Sequence, residues 1–431
     1  MIRKSNRWGR TSRRRVMVGI AAFGAAIMMT ACSSGGATGQ QSNSKTLTFA
    51  DWELLEPGNG PRITAAVESY EKTHPGVTIQ TIGYPNDTFG TTLETQLGAQ
   101  SGPDVFTDSG GLIYSGDVYP ITLPKAEEQT LIPQNSAGIV DGKRLGVVWE
   151  VYDDDLLYNK NVFKQAGISG PPTTFTQFLS DCVTIKQKTG LYGYVGRNML
   201  NEEANWYHDY SYTWLAGFGG SWMNNAGQWT IDSPANITAL TDFKKTYDSG
   251  CMETGQTASV FRTEFEAGRI GMLMDNLDAA YTYPTADGSV LSNSVLGGAP
   301  VPFGASHGGS NAILLLINKN APNKALAENF VQWLLSPAGQ KAMTPGIEPM
   351  LPGTTDVTSP ASFTSSSPWS APFMADMDKS SDLATTFPRP QLTVSFSDFL
   401  MPYLENTLQG QMSPAAALSS AQAAAVKKFG N

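Results

Sequence analysis

Aromatic rings stand beside carboxylates at several points of this sequence. Trp52-Glu53, Tyr152-Asp153 and Trp206-Tyr207-His208-Asp209 each set a flat apolar surface next to a hydrogen-bond acceptor, and the chain carries 9 Trp, 15 Tyr and 19 Phe. Such pairs suit a ligand with an apolar ring face and a rim of hydroxyls, because the ring stacks while carboxylates and amides fix the rim. That chemistry is recognition, and it requires neither a metal nor a strong nucleophile. A P-loop, a dinucleotide fingerprint and the H-E-x-x-H pair are absent. The three histidines, His74, His208 and His307, are scattered without metal-ligand spacing. No cofactor, metal or catalytic residue is therefore expected. A glycosidase remains an alternative, since it needs only two carboxyls about 5–10 Å apart, and so does a binder of a non-sugar organic solute.

The N-terminus points outside the cell. Seven basic residues (Arg3, Lys4, Arg7, Arg10, Arg13, Arg14 and Arg15) precede an apolar run from Val16 to Met29. That order is the layout of a secretory signal, and the run is shorter than the roughly 20 residues of a membrane-spanning helix. Residues 1–31 read as the signal. Met29-Thr30-Ala31-Cys32 then resembles a bacterial lipobox, with Met where Leu is usual, so Cys32 is expected to carry lipid and to hold the protein on the outer face of the cell membrane. Ser12-Arg13-Arg14 is a hint of twin-arginine export. Residues 32–44 contain nothing to bury beyond the lipid and read as a flexible tether. Loss of the signal leaves 22 basic residues against 38 acidic ones, a net charge of −16, which argues against nucleic acid as a partner. Cys182 and Cys251 remain for an oxidising compartment, either as a disulfide or as two buried thiols.

The elements that must position such residues alternate between strand and helix. Thr46–Asp51 alternates apolar and polar residues as a strand should. Pro61 starts a helix with Ile63, Val67 and Tyr70 on one face, and His74-Pro75-Gly76 stops it. Val77–Tyr84 is strand-like, Phe89–Gln100 helical, and Asp104–Asp108 a short strand; this repetition implies a parallel sheet. Further on, Leu156–Tyr158 and Gly193–Gly196 read as strands, Thr174–Thr189 and Pro234–Asp248 as helices. Ile270–Met274 and Ala312–Ile317 are buried strands, Asn323–Leu335 is an amphipathic helix, and Ser413-Pro414 opens the last helix. Asp153-Asp154-Asp155 reads most simply as solvated charge. No internal repeat of the kind an adhesin would show is present, and about 390 residues beyond the tether favour two domains.

Several segments, in order, resemble the family 1 extracellular solute-binding proteins, to which the maltose-binding protein belongs. They are Leu156-Leu157-Tyr158-Asn159-Lys160 with Val162-Phe163 and Ala166-Gly167; Pro171-Pro172-Thr173-Thr174; Gly219-Gly220 with Trp222; Asp232-Ser233-Pro234; Phe265, Gly268 and Met272; and Ile317-Asn318-Lys319 through Ala327, Phe330 and Ser336 to Gly339-Gln340. The resemblance implies an α/β fold of the two-lobed periplasmic-binding-protein type II, with a hinge, an inter-lobe cleft, and an ABC transporter permease as partner to a monomeric, sugar-loaded protein. It implies crossings near Glu150–Asp153, Ser306–Ser310 and Leu351–Gly353. Residues 45–150 with 308–351 would form the N-terminal lobe, and 151–307 with 352–431 the C-terminal lobe. Cleft residues follow from that outline: Trp52 and Glu53 after the first strand, Asp108 and Ser109 after the third, and Trp149, Tyr152 and Asp153 at the first crossing. Tyr207, Asp209 and Trp222 would form a stacking wall. Asn276 and Asp278 occupy a loop where the family often places Trp, Gly308-Gly309-Ser310 lets backbone approach the ligand, and Phe396 supplies a late aromatic.

Overall fold

The structure, a computed structural model, describes residues 45–430 apart from 57–58, 110, 199–206, 208, 225, 256–259, 306, 344–350, 353, 355–364, 377–380 and 383–392. Cys32, the signal and the tether lie outside the described residues.

Strand β1 (Thr46–Ala50) lies between β2 (Thr78–Ile82) and β3 (Val105–Asp108), parallel to both. The Asn59–Thr73 helix makes the first crossover and buries Ile63, Val67 and Tyr70, the stripe its spacing requires. The Asn86–Gly98 helix makes the second. After a small hairpin of β4 (Ile139–Val140) and β5 (Lys143–Arg144) comes β6 (Gly146–Asn159), a strand of 14 residues. The remaining strands are β7 (Tyr192–Val195), β8 (Ile270–Asn276), β9 (Leu296–Ala299), β10 (Gly309–Ile317), β11 (Leu351–Pro352) and β12 (Ser381–Asp382). Along the main path the order is β2-β1-β3-β10-β6-β8-β7.

The expected parallel arrangement holds for β1–β3 and for the β7–β8 pair. It fails for β10 and β6, which are antiparallel to each other, while β10 is also antiparallel to β3 and β6 to β8 and β9. The reason lies in β6. Its first half pairs with β10 as far as Asp153 opposite Ser310, and its second half pairs with β8 from Asp154 opposite Asn276. One strand thus belongs to two sheets. On its other edge Leu351 and Pro352 sit opposite Val151 and Glu150, so three separate passes of the chain lie side by side at 150–151, next to the switch of partners at 153–154.

Each sheet carries its own hydrophobic cluster. Phe49, Phe106, Val147, Trp149, Leu315 and Phe330 belong to the first, which also reaches Leu157, Phe265 and Tyr283. Leu156, Phe178, Trp214, Phe243, Phe396 and Leu418 belong to the second. The result is an α/β fold with two sheet-rich lobes. Helix starts follow the sequence closely: Thr174, Ser233, Asn323 and Ser413 each cap a helix by accepting a backbone N–H three residues on. Cys182, on the Phe175–Thr189 helix, is joined to Cys251 by a disulfide with Cα atoms 5.6 Å apart. Among the described residues no helix is long and apolar enough to cross a membrane.

Candidate functional site

In open α/β sheets ligands gather where parallel strands end at their carboxyl edge. Here that edge is acidic and buried. Directly after β1, Asp51 caps the Trp52–Leu55 turn by accepting the Glu53 N–H at 2.9 Å. Burial pushes the Asp51 carboxyl well above the usual carboxylate range, and the neighbouring Glu53 adds to the rise. Asn59 donates to Glu53 at 3.3 Å and to Glu56 at 3.2 Å, and accepts from the Arg62 guanidinium at 2.7 Å. After β3, Asp108 accepts the N–H groups of Gly111 and Ile113 at 3.1 and 3.0 Å.

The second lobe contributes a different set. Asp275, near the end of β8, takes a bidentate pair from Arg262 at 2.7 and 2.9 Å and a hydrogen bond from the Tyr283 hydroxyl. Burial alone would raise the Asp275 carboxyl, but the Arg262 guanidinium outweighs it and the group ends below its ordinary value. Asp154 and Asp209 lack such a partner. Burial raises Asp154 well above normal, with Asp275 and Asp209 adding repulsion that Arg197 only partly offsets. Burial likewise carries Asp209 to about 7, against the pull of Arg197. The Arg197 and Arg262 guanidiniums both lie over the Phe261 ring, at 5.3 and 5.4 Å. Glu56 of the first lobe contributes to the field at Arg262. Chemically the arrangement offers many fixed hydrogen-bond acceptors and few free charges, which suits a ligand dense in donor groups.

The sequence-derived candidates divide. Glu53, Asp108, Asp153 and Asp209 lie at this edge or at the 150–154 junction. Trp52, 8 % exposed, packs edge-on against Phe89. Ser109 is exposed just past β3. Tyr152, Asp278 and Ser310 fall within the described backbone, Tyr152 opposite Asn311 and Ser310 opposite Asp153. Asn276 spends its side-chain oxygen on the Ala279 N–H at 2.8 Å, as a helix cap.

Three aromatic expectations need correction. Trp149 is wholly buried against Phe49 in the first core. Trp222 and Phe396 are wholly buried in the second, where Phe396 stacks on Trp229 at 4.9 Å and Tyr207 lies 6.2 Å from Trp222. The wall of rings exists, but its faces are covered by protein, because these rings are the core. The role assigned to Gly308 also changes. A Cβ there would come within 2.0 Å of the Asp154 carbonyl oxygen, so the glycine serves strand packing; a Cβ at Gly309 would meet Tyr212 at 3.2 Å. The Asp153–Asp155 run, expected in solvent, is 1, 7 and 0 % exposed.

Sequence reasoning missed Arg62, Arg197, Arg262 and Tyr283. One signal was present: after Cys32 the chain has only six arginines, Arg62, Arg144, Arg197, Arg262, Arg269 and Arg389, and three of them serve these two sets. Gly304-Ala305-Ser306-His307-Gly308 has the G-x-S-x-G spacing of a serine-hydrolase turn. That turn must lead from a strand into a helix, whereas this segment runs into β10.

Two lobes, one strand shared between their sheets, and a polar edge on each define the class of binding proteins for small solutes. The chain belongs to the family of bacterial extracellular solute-binding proteins, whose model matches residues 56–341. This is a family of binding proteins, and the chain is not an enzyme. Among curated relatives it is 26 % identical over 260 residues to the diacetylchitobiose binding protein DasA of Streptomyces coelicolor; the match covers 57 % of this chain and 59 % of that one. The solved GacH receptor of Streptomyces glaucescens, described unliganded and with acarbose, superposes with a TM-score of 0.75 at 22 % identity, covering 89 % of this chain and 97 % of that one. Maltose-bound MalE3 of T. maritima gives 0.76 at 19 %, covering 88 % and 98 %.

Proposed function

We propose that this protein captures a carbohydrate outside the cytoplasmic membrane, an oligosaccharide in particular, and hands it to the permease of an ABC importer. The observation that carries the reading is the junction at 150–154. Three chain passes lie side by side there, with β6 shared between two sheets, and acceptor-rich edges stand on either side of it. Such a junction can act as a hinge, letting a two-lobed protein of type II close over a ligand by small backbone rotations. Closure would be driven only by contacts that are better in the closed state. The relatives named for diacetylchitobiose, acarbose and maltose support a saccharide as the cargo. In this reading 45–150 with 308–351 form one lobe and 151–307 with 352–431 the other. Residues 1–31 are a cleaved signal, Cys32 is lipidated, and 32–44 tether a monomer to the outer face of the membrane.

The test is a thermal-shift screen of the mature chain against mono-, di- and oligosaccharides with a panel of polyols. A true ligand at 100 times its Kd stabilises by about 2.7 kcal/mol through mass action. A shift with a polyol and with no saccharide would overturn the carbohydrate reading and leave the binding class intact.

A further inference from the structure

The second lobe's edge holds three buried carboxyls, Asp154, Asp209 and Asp275, against two guanidiniums, Arg197 and Arg262. Arg262 is committed to Asp275 by its bidentate pair. Asp209 is held by the Arg197 backbone N–H and the charge of Arg197. Asp154 is left over. It is 7 % exposed, its carboxyl has no hydrogen bond or ion pair with any described residue, and its charged neighbours are the like charges of Asp275, Asp209 and Asp153 with Arg197 as a partial offset. A carboxyl buried among carboxyls without a donor is costly, and folds retain such groups where a ligand supplies the missing partner. Sugar hydroxyls would satisfy its lone pairs but bring no charge. A divalent cation is a poor fit, because two guanidiniums share the site and no described group of three or more acidic, His or Cys side chains is arranged to hold a metal.

We propose that Asp154 receives a protonated amine of the ligand, so that the cargo class is an amino-substituted sugar or cyclitol rather than a neutral saccharide. The proposal rests on the carbohydrate-capture reading and narrows it. An ammonium would favour the ionised form of the Asp154 carboxyl, and its N–H donors would reach a buried carboxyl at this edge that makes no side-chain hydrogen bond with any described residue.

The experiment compares three disaccharides of one linkage by titration calorimetry with the full mature chain, at a pH where the amine is protonated. Cellobiose, N,N′-diacetylchitobiose and chitobiose carry hydroxyl, acetamide and ammonium at the same position. Chitobiose is expected to bind about tenfold or more tighter than either counterpart, the scale of a charge-assisted hydrogen bond over a neutral one. Asp154→Asn, which keeps the shape and removes the ionisable carboxyl, is expected to erase that preference, so that the three disaccharides bind alike. The ligand-free melting temperature of Asp154→Asn should be unchanged or higher, since the buried carboxyl makes no side-chain hydrogen bond with a described residue that the change would break. The wild-type comparison needs no variant. Equal or tighter binding of a neutral disaccharide would overturn the amine proposal and leave carbohydrate capture standing, as would a preference that survives Asp154→Asn. Binding by none of the three would also overturn the amine proposal, while carbohydrate capture stands or falls by the wider saccharide screen.

Discussion

The two lobes hold their buried acids by different means. In the first, backbone N–H groups do much of it: Asp51 accepts from Glu53, Asp108 from Gly111 and Ile113. Those bonds are short-range and form as the local turn forms. In the second, side-chain cations are added to backbone donors: Arg262 reaches Asp275 from thirteen positions away in sequence, while the Arg197 and Asn276 N–H groups also serve Asp209 and Asp275. That difference separates scaffold from adjustable site. A carboxylate tied to its own turn cannot be reassigned without unfolding the turn, whereas an ion pair between side chains can be rebalanced by a ligand's charge. The staple follows the same division, since the single disulfide among the described residues lies in the second lobe.

Breaking that staple is the largest test of the comparison. Replacing Cys182 and Cys251 by Ser opens a loop of 69 residues, a loss of about 4 kcal/mol by chain-entropy reasoning. Urea denaturation followed by Trp fluorescence is expected to show the second lobe melting ahead of the first; one unchanged cooperative transition would contradict it. Next comes Arg262→Met, which strands Asp275 as an uncompensated buried charge. Breaking such a pair costs about 3 kcal/mol or slightly more, and Arg262→Lys should recover only part, because an ammonium cannot reproduce the fork geometry. The same denaturation series reads both. An Arg262→Met protein as stable as the parent would show that the pair does not hold the lobe.

Sequence periodicity located most of the scaffold, and for stated reasons. The Pro234–Asp248 helix begins at its Ser-Pro signal, and the buried run 312–317 lies inside β10. The sequence reading of β6 caught only Leu156–Tyr158, because its middle carries three consecutive aspartates. A run of acids looks like a loop until strands on both edges are known to enclose it, and that is long-range information. The aromatic candidates misled for the complementary reason. Ring count says that stacking surface exists, but whether a ring faces ligand or core depends on what packs over it, as Trp229 packs over Phe396. The placement of Glu53, Asp108 and Asp209 beside strand or helix ends was legible, because local signals do fix those ends. Arg262 was not, since nothing local pairs it with a carboxylate across a turn and a strand.

A smaller effect sharpens the first lobe's side of the contrast. Asp108→Ala removes the acceptor for two backbone N–H groups and should cost about 2 kcal/mol, the scale of leaving buried donors unserved. Asp108→Asn should recover much of it, as the amide oxygen can still accept. Circular-dichroism melts over a range of salt check this, because a backbone-held group should respond little to ionic strength. A strong salt dependence would place Asp108 with the charge-held acids of the second lobe instead.

A last test is the pH dependence to which Asp209 contributes in the second lobe. Asp209 titrates near 7 in the folded chain, raised by burial, whereas an unfolded aspartate titrates near 4. Between those values the folded state holds a proton that the unfolded state has released. Stability therefore falls as pH rises through this window, with a slope of at most about 1.4 kcal/mol per pH unit, and levels off above it. Asp275 acts in the opposite sense, since Arg262 lowers it: its contribution is present above the unfolded value and is lost only as pH falls through the depressed folded one. The two windows do not overlap, so Asp209→Asn should reduce the slope between about pH 4 and 7 while leaving the acid limb unchanged. That slope is shared with Asp51, Asp154 and Asp181, which burial also raises. Melting temperatures of the parent and Asp209→Asn proteins across that range decide it. A parent profile that rises towards pH 7, left unchanged by Asp209→Asn, would mean that Asp209 is held as a charged partner of Arg197 and carries no excess proton.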